Sequence, residues 1–393
     1  MRIRYLVLAL VLVSLCSGLR AESPTPPTQS ETLDLLAREQ FSELDQRYGA
    51  IQQAYKDGRI SDEDLRAAFR AFYATDAALE PKYKAWIQHS PKSYVAHLAR
   101  GIYFKKVGGE RRGGKFISET SEEQINGMEA AYDVAAAEFD ASRALDDRPL
   151  LTYLHSIDLN MAVGDKEESR RLLDLAVTID PRNFIVREKY MGSLQTRWGG
   201  SVDEMKAFLA ECRHAGLSAS HLKALEALVV EDEGWAHQYG DGDLHAAARA
   251  YRKAAKLDPA KSCLPCGPLS KAADALLEAK DYKGAVKLYS KVLGSDPKSI
   301  HALDSRAFAE LQLQHPKAAL EDLLQAAGQG DAYAQDLLGR MYLLGTSVPQ
   351  DRDKAIEWLQ KAADQGYEPA HELLPLALDK NRTPMQAPGG PRF

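Results

Sequence analysis

A right-handed α–α superhelix of stacked helical hairpins, all helix and turn, is the fold that this sequence predicts. The end of the chain repeats itself. Ala334-Gln335-x-x-Leu338-Gly339-x-Met341-Tyr342-x-x-Gly345 leads into Val348-x-x-Asp351-x-x-Lys354-Ala355-x-x-Trp358-x-x-Lys361-Ala362-Ala363-x-Gln365-Gly366, and Ala370 follows Ala334 by 36 residues. The preceding stretch closes in the same way, with Ala326-Ala327-x-Gln329-Gly330 before Ala334. Small residues at fixed points of such a period are what stacked hairpins need. Three upstream stretches share another pattern, an Ala or Val five residues before a Pro that Asp directly precedes: Ala176…Asp180-Pro181, Ala254…Asp258-Pro259 and Val292…Asp296-Pro297. No segment shows the period-two alternation and β-branched richness of a strand.

Taken in order, the chain begins with Arg2 and Arg4, a short apolar stretch from Tyr5 to Cys16, and Ala21. A basic start, a short apolar middle and a small residue read as a secretory signal peptide over residues 1–21. The stretch is too short to span a bilayer, which takes ~20 apolar residues. The competing reading is a lipoprotein anchored through Cys16, against which stands the bulk of Leu15 just before it. Loss of residues 1–21, with three arginines and no acids, would move the net charge from −6 to −9. An acidic chain argues against nucleic acid as partner, since such binding needs a basic face. The expected location is periplasmic or secreted.

Residues 22–31, rich in Pro, Ser and Thr, read as a flexible linker. Apolar residues then recur at helical spacing: Leu33, Leu36, Phe41, Leu44 and Tyr48 on one face, Leu65, Phe69 and Phe72 on another, with Ser61 as an N-cap. The helical region 32–148 fits no register of about 34 residues. The region 149–325 shows a looser pattern of that length, partial over 150–200, where Ser169 replaces the expected small Ala. There, Leu173, then Ala247 and Tyr251, then Ala285 and Tyr289 fill the space beside the close-packed Ala or Val, and proline ends each second helix. Residues 326–379 carry the terminal repeat, with Leu338, Tyr342 and Trp358 as hairpin core and Gly339, Gly345 and Gly366 serving close approach or turns. The tail 380–393, with three prolines and two glycines, reads as disordered.

These patterns resemble the tetratricopeptide repeat over 149–325 and its relative, the Sel-one-like repeat, over 326–370. One departure is Ser347, where a second glycine is usual before Val348. Trp86-x-x-x-x-Pro91-x-Ser93-x-x-Ala96, followed by Tyr103 and Arg112-Gly113, is similar to an uncharacterised bacterial domain of unknown function that is commonly joined to such repeats. The repeat resemblance implies a binding surface, with inward-pointing positions on the first helix of each hairpin. Those positions hold Asp158, Asp232, Asp274 and Asp304. Family members that grip a peptide's terminal carboxylate use Lys, Arg and Asn there, so an acidic groove that selects a cationic protein or peptide is the expectation. A solvated acidic face is the bland alternative.

Other chemistry is thin. Gly109-Glu-Arg-Arg-Gly-Gly-Lys115-Phe116 nearly spells a phosphate loop, but Phe116 replaces the hydroxyl residue and a helix precedes it. Arg111, Arg112 and Lys115 remain candidates for an anion-binding loop. Cys263-Leu-Pro-Cys266 suggests a local disulfide in an inter-repeat insertion, with Cys212 buried and free. The motifs give no catalytic residue, cofactor or metal site. The sequence therefore points to an exported scaffold or adaptor. An enzyme or anion-binding module in the N-terminal helical domain and a periplasmic inhibitor or immunity protein for a specific toxin are the alternatives.

Overall fold

The computed structural model describes residues 23–113, 120–262 and 267–379. The signal peptide, Cys16, Lys115, Cys263, Cys266 and the 380–393 tail lie outside the described residues. The rest divides into two compact units, and the division falls between Ser156 and Ile157, inside a helix.

The first unit contains α1 (Gln29–Ala37), α2 (Phe41–Lys56), α3 (Asp62–Phe69), α4 (Glu80–His89), α5 (Tyr94–Arg112), α6 (Glu122–Leu145) and the start of α7 (Leu150–Val163). The expected linker is already structured at its end. Thr28 and Glu31 form a reciprocal capping box, so α1 starts at Gln29, and Pro27 is buried. The core is aromatic: Tyr48 lies 5.0 Å from Phe69 and 4.6 Å from Phe72, ring to ring, and Trp86 is fully buried beside Phe72. Helices α5 and α6 approach closely because α5 offers Gly101 and Gly108 to the rings of Phe139 and Tyr132.

The second unit is a run of antiparallel helix pairs. After α7 come α8 (Lys166–Ile179), α9 (Ile185–Ser193), α10 (Val202–Arg213), α11 (Ala219–Ala236), α12 (Leu244–Leu257), the short α13 (Pro259–Ser262), α14 (Pro268–Glu278), α15 (Tyr282–Ser295), α16 (Ile300–Gln312), α17 (Pro316–Gly328), α18 (Ala332–Leu344), α19 (Arg352–Asp364) and α20 (Glu368–Leu378). From α14 onward each helix packs on the next in sequence, which builds the superhelical repeat array. The residues that predicted it are where close packing requires them. Ala176, Ala254 and Val292 are inaccessible, and Tyr251 and Tyr289 are buried beside them.

Three second helices, α8, α12 and α15, are each 14 residues long. Each is bracketed by aspartates. Asp165, Asp243 and Asp281 cap the N-termini by accepting a backbone N–H three residues on, and Asp180, Asp258 and Asp296 stand at the C-caps in extended or non-helical conformation.

In the terminal repeat, Gly339 lies in the contact between α18 and α19. A Cβ there would sit 2.6 Å from Leu359 Cγ and 3.3 Å from the Ala355 carbonyl oxygen. Ser347 has φ +63°, in the left-handed region, which is why glycine suits that turn. Gly339→Val should destabilise the chain by about 1–3 kcal/mol through overpacking. Chemical denaturation read by circular dichroism measures this, and an unchanged midpoint would remove Gly339 from the hairpin contact.

An acidic row on the first helices as the candidate functional site

Alternate helices of the second unit are joined by side chains that step from one hairpin's first helix to the next. Asp158 on α7 pairs with Lys189 on α9 at 2.7 Å. Glu231 on α11 pairs with Lys271 on α14. Asp274 on α14 accepts the Tyr289 hydroxyl at 2.6 Å and meets His301 Nε2 on α16 at 2.9 Å. Each of these steps matches an acid with a basic group, and the Asp274 carboxylate holds the His301 imidazole above its ordinary pKa.

The next step breaks the pattern. Asp304 on α16 faces Asp331, the N-cap of α18, whose Oδ2 accepts the Ala334 N–H at 2.7 Å. Here a carboxyl meets a carboxyl. Burial first, and then the charge and hydrogen bonding of Asp331, push the Asp304 carboxyl up to about 7. Its Oδ1 is buried without a hydrogen-bond partner. His301 pulls the other way, and the Asp322 charge adds to the push. Asp322 is itself held by the Arg306 guanidinium at 2.6 Å and 2.8 Å. Farther along α18, Asp336 is buried and pairs with Arg340 at 2.7 Å.

Of the four aspartates predicted from sequence, Asp274 and Asp304 fall in one neighbourhood, linked through His301. Asp158 lies elsewhere along the row, on α7. Asp232 is corrected. It is 2% exposed, and its carboxylate accepts the Thr196 backbone N–H at 3.0 Å and the Thr196 hydroxyl at 2.6 Å. It anchors the short turn of helix at Thr196–Trp198 and cannot meet a partner. Sequence reasoning missed Asp331 and Glu231. Asp331 sits two residues after Gln329, inside the repeat pattern already quoted, and its offset of three from the small Ala334 is the N-cap signal that would have found it.

The predicted anion-binding loop is also corrected where it is described. Arg111 and Arg112 form the last turn of α5 instead of a loop, and Arg111 donates to the Gly127 carbonyl at 3.2 Å. The turn begins only at Gly113, with φ +73°. Cys212 is buried and free, its thiol pushed up to about 11 by burial.

Residues 332–367 match the Sel1 repeat. Residues 29–167 match a domain of unknown function, DUF4034, which extends past the boundary at 148 drawn from the repeat register. The chain thus joins these two elements through the helix pairs between them. No curated protein matches the chain. Among solved structures, a protective antigen of uropathogenic Escherichia coli with an SLR fold is similar at 15% identity and TM-score 0.40, over 91% of this chain and 77% of that one. A tetratricopeptide repeat protein from Parabacteroides merdae is similar at 14% identity and TM-score 0.32, over 64% and 94%. Yeast Tom70 is similar at 15% identity and TM-score 0.38, over 81% and 64%.

The raised Asp304 pKa has a direct consequence. A carboxyl that binds its proton more tightly in the folded chain contributes stability that is full below the unfolded value near 3.8 and is lost as pH rises through about 7. Asp304→Asn should therefore flatten the decline across that window by about 1–2 kcal/mol, less than the full shift because water reaches part of the site. The Asp304 charge also helps to raise His301, so its removal lessens the His301 contribution to the decline and flattens the curve in the same direction. Parallel denaturation at pH 5 and pH 8 tests this, and equal slopes for the two proteins would refute it.

Proposed function

We propose that this chain is an exported, non-catalytic adaptor whose helical array holds a cationic protein or peptide along its row of first helices. The observation that carries this reading is the Asp304–Asp331 step. Where its neighbours pair an acid with Lys189, Lys271 or His301, no base is paired with this step among the described residues, and His301, already held by Asp274, reaches Asp304 only through its charge. A lysine or arginine supplied by a partner completes the pattern, displaces the shared proton and adds a charge-assisted hydrogen bond. A row of paired acids on either side keeps the surface acidic without leaving strong competing sites, so the partner's register is set by one position.

The remaining parts of the proposal rest on plainer ground. Helical-repeat arrays of this kind are characteristically protein-binding scaffolds. Among the described residues no helix is long and apolar enough to cross a membrane. The export reading draws on the basic start and apolar stretch of residues 1–21.

A fluorescent lysine-rich peptide, titrated into the chain lacking residues 1–21, provides the test. Asp304→Asn with Asp331→Asn should weaken binding about tenfold and reduce its salt dependence, because Asn preserves the α18 cap while removing both charges. A control variant, Asp351→Asn at the α19 cap, should bind as the parent does. Equal losses in the two variants would reduce the effect to general acidity, and no loss in either would refute the proposed register.

A further inference from the structure

The first unit contains a cavity of about 560 Å³ along one face of α2. Asp45, Gly49, Gln52 and Lys56 line it from that helix, Tyr94 from the start of α5, and Asp146 from the residue after α6. Positions i, i+4, i+7 and i+11 fall on one helical face, so these side chains form a strip. With 1.5 Å of rise per residue, Asp45 and Gln52 are ~10 Å apart along the helix axis.

The polar groups of the strip are unequally occupied. Lys56 is fully engaged, its Nζ 2.7 Å from Asp146 Oδ2 and 2.5 Å from Asp147 Oδ1. Gln52 is 4% exposed, and its Nε2 donates to Asp146 Oδ1 at 3.3 Å and to the Arg148 carbonyl at 3.1 Å. Its Oε1 is buried with no hydrogen-bond partner. Asp45 accepts the Trp86 indole N–H at 3.1 Å and the Ser93 hydroxyl, both at Oδ1, and no cation pairs with it among the described residues. The unspent capacity is therefore acceptor capacity at two points, with a negative charge at one of them. A buried acceptor left without a donor destabilises the site, and a ligand N–H would relieve that.

Gly49 lies between these two points. It is in mid-helix, where glycine is less favourable than alanine. A Cβ built there meets nothing within 4 Å, so no close neighbour demands the glycine. What its missing side chain does is leave the middle of the strip open.

We propose that this cavity binds an elongated organic cation with N–H donors at both ends, a linear polyamine in chemical class. One ammonium pairs with Asp45, the methylene stem crosses Gly49 against the ring of Tyr94, and the second donor meets Gln52 Oε1. An anionic ligand would find Lys56 neutralised and Asp45 repelling it, with the exposed Lys92 as the one lining cation left to it, and the octanedioate arm below tests that alternative.

Spermidine is the probe, measured by isothermal titration against the chain lacking residues 1–21. Butylamine, which has a donor at one end only, should bind at least fivefold more weakly, and octanedioate should not bind. Gly49→Leu, which fills the strip without changing any charge, should abolish spermidine binding. Asp45→Asn, which keeps the Oδ1 acceptor for Trp86 and Ser93, should weaken it at least fivefold and serves as the second variant should Gly49→Leu fold poorly. Spermidine binding that survives Gly49→Leu belongs to the general acidity of the surface and overturns the proposal. So does equal affinity for butylamine and spermidine, or no binding of either.

Discussion

The array depends on how closely two helices of a hairpin can approach. Along the second unit the contact positions carry small side chains: Ala176, Ala254, Ala285, Ala326, Ala355 and Ala362 are all inaccessible, Val292 takes the same place on α15, and Gly339 has no side chain at all. Close backbones leave room for one large group per hairpin, and Tyr251 and Tyr289 fill it. The first unit solves the same problem differently, with glycines on α5 receiving whole aromatic rings from α6. From this spacing follows the position of the first helices, near enough for short acidic side chains to step from one to the next.

What could be read from the sequence was whatever recurs. The Ala-to-Asp-Pro spacing located the ends of α8, α12 and α15, because proline forbids continuation and the alanine must be small wherever the hairpins meet. The aspartates at the opposite ends of the same helices carried an equal signal and were passed over, since a lone Asp before a helix is common. The start of α1 was missed for a related reason: Thr28 and Glu31 form a cap, but the prolines before them dominate the composition. Gly101 and Gly108 belong to a unit without a repeat, so nothing in the sequence marked them as contact points.

The candidate site was less legible than the fold, and the reason is specific. A helical register says which way a residue points along its own helix. It does not say what stands opposite. Asp232 has the right register and meets the backbone of Thr196, while Asp304 has the right register and meets another carboxyl. The difference lies in a connection between helices, whose path no periodicity encodes. The same holds for the cavity beside α2, where Gly49 is ordinary in sequence and acquires meaning only beside Asp45 and Gln52.

The aspartate-bracketed helices have a further implication. A helix that brings its own start, its own stop and a fixed length of 14 residues is a self-contained cassette. Its hairpin touches its immediate neighbours and little else, so the faces it presents before and after are interchangeable with those of the next. Such a chain can gain or lose a whole hairpin by in-frame duplication or deletion and still close its seams. Reach along a partner then becomes adjustable in hairpin-sized increments, independently of the domain at its start and the repeat at its end.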